Sequence, residues 1–373
     1  MILIVTQCFP PVAGGMETLM GGLADALAGA GKDVLVLADG KDSDDERASD
    51  ETRPCPVLRF GGPRPWRRWR KRRAIARCLR ARKAEAIFAD SWKSAATALK
   101  VAEKRGVPVF TLAHGNDVLT RGDAGRAARV GRVLRRSTRV VANSRFTAGL
   151  VEALGVPSNR ISIVHPGFTP PPPPSPEALA AADRLMAPFS HRLLTIARLE
   201  PRKGHDQVIR CLPELLRQFP GLGYVVAGAG PDRQRLETLA SELGVSEQVC
   251  FAGRVSEDLK SALLSRADIF VMPVREDEAG YSVEGFGIAY LEAAAMGLPA
   301  VAGRSGGVED AVVQEKTGLL CDGTDTREVC AALADLLADP DRRRTMGQAA
   351  RTHARDFAWP AAIGRYLALL TER

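Results

Sequence analysis

Short apolar runs recur along the chain with amphipathic stretches between them. Runs at residues 2–6, 34–38, 86–89, 107–112, 140–142 and 161–164 form a first series, and runs at 193–197, 224–227, 249–252, 269–274, 300–302 and 319–321 form a second. Apolar runs that alternate with helical patterns predict parallel strands buried on both faces of a doubly wound sheet. The first of the intervening helices is expected over residues 16–28. Five prolines at 170–174, followed by Ser175 and Pro176, interrupt the pattern and predict an extended linker. The expected fold class is therefore α/β, with two Rossmann-like units: residues 1–169, a linker at 170–176, and residues 177–360. Such units place their strand ends face to face across a cleft. Residues 356–360, Asp-Phe-Ala-Trp-Pro, are expected to break one helix before another at 361–372.

Composition changes this picture little. At 373 residues, 45% hydrophobic and only 5% aromatic, the chain suits two ordinary α/β domains built on Val, Leu, Ala and Ile. Its seven cysteines are scattered and form no C-x-x-C pair, which predicts reduced thiols in a cytosolic protein and neither a disulfide framework nor a zinc site. The start, MILIVTQCFPP, has no basic region before its apolar residues and reads as a strand, not a signal peptide. No run approaches the ~20 apolar residues of a membrane span.

Charge changes it more. The net charge is +8, but residues 64–83 hold eleven of the 52 cations and no acid, so the rest of the chain carries 41 cations against 44 anions. Within that row Trp66 and Trp69 stand among Arg67, Arg68, Arg70, Lys71, Arg72 and Arg73. Tryptophan between arginines is a headgroup-level composition, which predicts docking on an anionic membrane surface or contact with the acceptor; a solvated basic helix is the alternative. Residues 121–139 add seven arginines against one acid, Asp123. Nucleic acid is not an expected partner, because aromatic residues are few and no binding module is present. The acidic insert 41–51, KDSDDERASDE, predicts a mobile surface loop. Its Asp42-Ser43-Asp44 and the later Asp339-Pro340-Asp341 match D-x-D only superficially, so no metal and no cofactor is expected.

The chemistry-bearing residues fall in two stretches. In the first, Glu284 and Glu292 stand eight positions apart around Gly285, Phe286, Gly287 and Ile288. A helix starting near Gly287 puts Glu292 a turn inside and leaves Glu284 on the loop, about 12 Å away at helical rise. That is too far for a glycosidase pair and suits a long ligand gripped at two points. The amides of Phe286, Gly287 and Ile288 then make a seat for phosphate. In the second stretch, Arg198 and Lys203 follow the strand 193–197 and read as a diphosphate clamp. Gly14 and Gly15, at the turn before the first helix, let backbone approach the same phosphates. No G-x-G-x-x-G follows the first strand, which disfavours a dinucleotide oxidoreductase.

Together these stretches resemble the retaining glycosyltransferases of family 4, which have the two-domain GT-B fold. Glu284 to Glu292 matches the family's E-x7-E motif, and Arg198 with Lys203 its phosphate pair. In order along the chain come FPPVAGGMET (9–18), HGND (114–117), ANS (142–144), AGAGP (227–231), AGRV (252–255) and SGG (305–307). The segments RLEPRKG and VEGFGIAYLEA look most like the phosphatidylinositol mannosyltransferases.

That resemblance implies a nucleoside diphosphate sugar donor, GDP-mannose favoured over UDP-glucose or UDP-N-acetylglucosamine, and a lipid or lipid-linked glycan acceptor on the cytoplasmic side of a membrane. It implies that Glu284 holds sugar hydroxyls, Glu292 the ribose, and His114 a group near the reacting centre. Gly228, Gly230, Arg254 and Val255 would border the base, and residues 361–373 would complete the first domain. With no nucleophile beside a base, front-face substitution is expected, the leaving phosphate taking the acceptor's proton. The insert REDEAGYS (275–282) departs from the commonest family form, which leaves the sugar open. A soluble acceptor, or a GT-B nucleotide-sugar epimerase or hydrolase that uses no acceptor, are the competing readings; the latter has no use for a Trp/Arg row.

Overall fold

A computed structural model describes residues 1–12, 14–81, 84–277 and 282–371. Ala13 of the glycine loop, Arg82 and Lys83 of the basic row, residues 278–281 of the insert and the last two residues of the expected C-terminal helix lie outside the described residues. The chain divides into two units, Met1–Phe168 with Phe357–Arg373, and Thr169–Asp356.

In the first unit the strands are β1 (Ile2–Thr6), β2 (Val34–Asp39), β3 (Val57–Phe60), β4 (Ala86–Ala89), β5 (Val109–Ala113), β6 (Arg139–Ala142) and β7 (Ile161–Ile163). They form one parallel sheet in the order β3-β2-β1-β4-β5-β6-β7. Strands β1 and β4 are buried along their whole length, as strands covered by helices on both faces must be. The strand order reverses between them, which opens a crevice at their carboxyl ends. Strand β3 was not among the expected runs. It is an edge strand whose Arg59 interrupts the apolar run and whose Leu58 is exposed, so no continuous apolar signal marks it.

The acidic insert is not a mobile loop. Residues Asp44–Glu51 form a helix closed by a capping box, in which the Ser43 side chain accepts from the Glu46 amide and the Glu46 carboxylate accepts from the Ser43 amide. Ser43-x-x-Glu46 was the available signal. Glu46 is buried, and Arg59 meets its charge and that of Asp50 from inside.

The C-terminal helix, Trp359–Ala368, starts two residues earlier than expected, since Pro360 is tolerated in a first helical turn. Trp359 packs where glycines make room: a Cβ on Gly22 would lie 2.2 Å from its indole nitrogen, and one on Gly167 2.4 Å from its ring. Trp359, Ala362, Tyr366 and Leu369 join the same core as Ile2, Ile4, Phe88 and Phe110.

The second unit contains β8 (His191–Ile196), β9 (Leu222–Ala227), β10 (Val249–Gly253), β11 (Ile269–Met272), β12 (Ala300–Gly303) and β13 (Gly318–Cys321), parallel in the order β10-β9-β8-β11-β12-β13. All six match expected runs. The order reverses between β8 and β11, so the loops after these two strands meet at the switch point. Ser175 and Pro176 belong to this unit and not to a linker: Ser175 caps the helix Pro176–Met186 and bonds Asp258, while Pro172 accepts from Ser261. Asp339 both follows one helix and caps the next, Pro340–Arg355. All seven cysteines are free thiols. Among the described residues no helix is long and apolar enough to cross a membrane.

Candidate active site

At the second unit's switch point, β8 gives way to a loop that runs beneath two glycines. A Cβ on Gly228 would stand 1.8 Å from the Ala197 carbonyl oxygen, and one on Gly230 2.2 Å from that of Leu199, so both positions exclude any side chain. A single 3-10 turn, Pro201–Lys203, then leads to Gly204, whose φ of +77° and 2.1 Å Cβ clearance from the Pro273 carbonyl oxygen also require glycine. This turn brings two cations to one carboxylate. Lys203 Nζ donates to Glu284 Oε2 at 2.5 Å and Arg202 Nη1 to the same oxygen at 3.1 Å. Burial raises the Glu284 carboxyl, but Lys203 and then Arg202 outweigh it and hold the group below the usual carboxylate range.

Glu284 is also fixed through its backbone. Its carbonyl accepts from the Gly307 amide at 2.9 Å, and Gly306, at φ +63°, has no room for a Cβ against that same oxygen. The SGG motif is thus a support beneath Glu284. Three residues on, Gly287 in the left-handed region turns the chain into the helix Ile288–Ala295, which has no side-chain cap. Its first amides remain the donors of a positive helix end. Phe286, just before this turn, is buried. Glu292 lies inside this helix and accepts from Lys260 Nζ at 2.7 Å, and Lys260 is also 2.6 Å from Glu257. Burial pushes the Glu292 carboxyl up, with Lys260 opposing.

Arg198 differs from its expected partner Lys203. It is 74% exposed and, among the described residues, pairs with Glu200 alone, at 3.0 Å, while Glu200 also accepts from Arg202. Arg254 is exposed and Val255 half-buried just past β10, beside Gly228, whose amide donates to the Gly253 carbonyl at 2.7 Å. Sequence reasoning missed Arg202 and Lys260. The first stands in the RLEPRKG stretch already singled out; the second is 32 positions from Glu292, and nothing local marks it.

In the first unit the carboxyl ends of β1, β2, β4 and β5 bring Thr6, Asp39, Asp90 and His114 to one edge. Asp90 is fully buried and its Oδ2 accepts from Thr6 Oγ1 at 2.7 Å, the Gln7 amide at 2.6 Å and the Cys8 amide at 3.3 Å. His114 Nε2 lies 3.0 Å from the Asp90 carbonyl oxygen, an arrangement in which Nε2 carries the proton and Nδ1 is the acceptor. Its amide donates to Asp117 Oδ1 at 2.8 Å, and burial raises the Asp117 carboxyl. Gly14 is extended, and a Cβ on it would meet only the Glu17 side chain; a Cβ on Gly15 would meet nothing within 4 Å.

The basic row forms the helix Arg64–Ala81, and its faces differ. Lys71 is a correction: it is 4% exposed, donates to the Thr6 carbonyl at 2.8 Å and to Asp39 Oδ1 at 2.5 Å, and faces neither membrane nor solvent. Arg67 shares Asp39 at 2.9 Å. With Gln7, Arg64, Arg68 and Lys93, these two line a small cavity of about 60 Å³. On the other stripe Arg70, Arg73, Arg77 and Arg80 line an open cavity of about 500 Å³ with Phe60 and Trp69. Trp66 and Trp69 stack at 4.7 Å and are 57% and 41% exposed. Arg72 is half-buried. The second basic stretch is largely tied to its own unit: Arg126 holds the carbonyls of Asn116 and Asp117, Arg135 that of Leu154, Arg136 pairs with Glu103, and Arg139 with Ser162.

Comparison with known proteins decides the family. Residues 13–170 match Glycosyltransferase Family 4, and residues 190–353 match Glycosyl transferases group 1. A GDP-mannose-dependent alpha-(1-6)-phosphatidylinositol monomannoside mannosyltransferase of Mycobacterium tuberculosis is 33% identical over 94% of this chain and 92% of its own. The chain belongs to glycosyltransferase family 4. A mannosyltransferase of the same description from Mycolicibacterium smegmatis is 45% identical over 182 residues, 48% of each chain, so the transferase spans about half the length of that relative. The crystal structure of Anabaena Alr3699/HepE in complex with UDP has the same fold, with a TM-score of 0.83 over 100% of both chains at 18% identity.

In this family 4 transferase, then, the structure brings Lys203, Glu284, the start of the helix at Gly287 and Glu292 together at one switch point. It leaves Arg198 extended into solvent at the rim of the same loop. His114, Gly14 and Gly15 belong to the first unit, with the small basic cavity.

Proposed function

We propose that this transferase moves mannose from GDP-mannose, with retention at the anomeric carbon and without a metal ion, to a phosphatidylinositol-type lipid at the cytoplasmic face of a membrane. The observation that carries the donor half is the Glu284 cluster: a carboxylate held ionised by Lys203 and Arg202 beside an uncapped helix start. A diphosphate takes Lys203, Arg198 and the helix amides, and the developing charge on it is neutralised by groups already in place. Glu284 keeps oxygen free to accept from sugar hydroxyls, and Glu292 does the same for ribose. His114 Nδ1 accepts from a hydroxyl near the reacting carbon. The names of the two mannosyltransferases support GDP-mannose and an inositol lipid.

The acceptor half rests on the small cavity at Arg64, Arg67, Arg68 and Lys93, whose cations suit a phosphodiester. The outward stripe with Trp66, Trp69, Arg70 and Arg73 suits the anionic lipid around it, each cation contributing ~1 kcal/mol near such a surface. Vesicles of phosphatidylglycerol should therefore cosediment with the protein at low salt, and the variant Arg70→Ser with Arg73→Ser should reduce the bound fraction; absence of cosedimentation would remove the membrane from the reading.

The donor is tested by thermal unfolding with GDP, UDP and ADP in turn, with chelator present. At a hundred times its dissociation constant one of them adds ~2.7 kcal/mol, a shift of several degrees. GDP is expected to do so. A shift only with UDP or ADP reassigns the donor, and a shift that needs added Mn²⁺ overturns the metal-free mechanism. Consumption of GDP-mannose without any acceptor would favour the epimerase or hydrolase reading.

A further inference from the structure

The acidic helix Asp44–Glu51 has no part in donor or acceptor chemistry as described, yet two of its carboxylates face inward to the same guanidinium. Asp50 accepts from Arg59 Nε at 2.8 Å and from its Nη2 at 2.7 Å, a bidentate pair, and Glu46 Oε1 lies 3.5 Å from Nη1. Arg59 stands on the edge strand β3, and its side chain is only 4% exposed. The amides of Ser43 and Lys41, with Arg59, outweigh burial and keep the Glu46 carboxyl ionised below its usual range. Gly40 makes the room, since a Cβ there would lie 2.6 Å from Arg59 Cδ.

What this cluster grips is the exit from β1. Arg59 Nη2 also donates to the carbonyl of Pro10, and the guanidinium lies 5.5 Å from the centre of the Phe9 ring. Arg53, itself paired with Asp25 at 2.8 Å, covers the same ring at 4.8 Å. The residues just before, Thr6 to Cys8, are held by Asp90. The loop that contributes Gln7 to the basic cavity is thus clasped at its two ends by buried charge.

A buried ion cluster is weak evidence for stability, because desolvation offsets most of the attraction and an apolar trio of the same volume would often serve as well. What a planar fork adds is direction: with Nε–H and one Nη2 hydrogen committed to Asp50 and Nη1 turned to Glu46, the second Nη2 hydrogen can point only one way. We propose that Arg59 is a positioning residue for the acceptor-side cavity, setting residues 7–10 through the Pro10 carbonyl, with the acidic helix as its fixed counter-charge. This rests on the reading of that cavity as the acceptor side.

The test uses the full chain carrying Arg59→Ala, with Asp50→Asn as the milder variant that keeps the guanidinium and carries the same readouts if the first does not fold. Three quantities are measured: turnover of GDP-mannose with phosphatidylinositol vesicles per folded molecule, the midpoint shift with GDP, and the rate of Cys8 alkylation by iodoacetamide. Cys8 reports the loop directly, since its amide is held by Asp90 two residues before the Pro10 carbonyl, and its thiol is pushed up to about 12, first by burial and then by Asp90. Arg59→Ala should lower turnover ~10²-fold, the cost of an ångström-scale misplacement, and raise Cys8 alkylation roughly tenfold through local opening. The GDP shift should stay at its wild-type value, and added guanidinium ion should restore both turnover and Cys8 protection. Arg47→Ala, an exposed neighbour on the same helix, should change none of these. A lowered midpoint with wild-type turnover and wild-type Cys8 reactivity would make Arg59 merely structural and overturn the proposal. Absence of any GDP shift in the wild type would instead sink the donor reading, while the Cys8 rates still decide the clasp.

Discussion

Replacing Lys203 with alanine is expected to lower kcat/KM by about 10²–10³, the cost of removing one preorganised donor aimed at developing charge. The loss has two parts. The departing diphosphate loses a cation, and Glu284 keeps only Arg202, 3.1 Å away, as its counter-charge. Arg198→Ala should lower turnover without changing the unfolding midpoint, because Arg198 is exposed and its pair with Glu200 is a surface one. Lys203→Ala should lower both. The pH dependence follows from the direction of the Glu284 shift. Its folded-state carboxyl is held below its unfolded value, first against burial and then by Lys203 and Arg202, so its stabilising charge is fully present above the unfolded value and is lost as pH falls through the folded one. Without Lys203 burial regains weight, the folded value rises, and the loss on acidification begins at higher pH. Unfolding midpoints of wild type and Lys203→Ala, measured from neutral pH down through the carboxylate range, should differ accordingly. Superimposable profiles would show that Lys203 does not charge-stabilise Glu284.

Lys71→Ala is expected to destabilise the first unit by about 2–3 kcal/mol, since it removes one of two cationic partners of a partly buried carboxylate at the end of β2 and leaves a buried carbonyl without its donor. Asp39 would retain Arg67 alone, and the Thr6 carbonyl would lose its donor. For a unit of this size the shift in midpoint is on the order of 10 °C. Arg68→Ala, exposed on the same helix, should stay within about 0.5 kcal/mol of wild type. Urea unfolding of the three proteins separates the cases. Equal midpoints for Lys71→Ala and Arg68→Ala would mean that Lys71 is a solvated surface charge, as the basic composition of its neighbours had implied.

The site was legible where a motif is short and continuous in sequence. RLEPRKG and VEGFGIAYLEA each occupy one loop and the start of one helix, so spacing alone carries Lys203, Glu284, Gly287 and Glu292 to their places. The partners of these groups were less legible. Arg202 lay within a stretch already singled out, but that it joins Lys203 on Glu284 depends on the turn Pro201–Lys203, and Lys260 reaches Glu292 from a different helix. The basic row shows the same limit from the other side. Its eleven cations are one patch in sequence, but a helix distributes them by angle, so that Lys71 turns into the sheet edge, Arg67 half follows it, and Arg70 and Arg73 line an outer cavity.

By itself, the sequence determined the doubly wound strand series of both units, because strands buried on two faces must be continuously apolar, and it determined the helix start at Gly287, because a left-handed turn needs glycine. It also carried the capping box of the acidic helix, although acidic composition pointed to a loop. Tertiary structure alone decided the edge strand β3, whose pattern is set by having only one neighbour, and the inward turn of Glu46, Asp50 and Lys71. These charges are tolerated inside because Arg59 and Asp39 stand opposite them. A charge's partner is a property of where two distant segments pack, and no spacing along one chain encodes it.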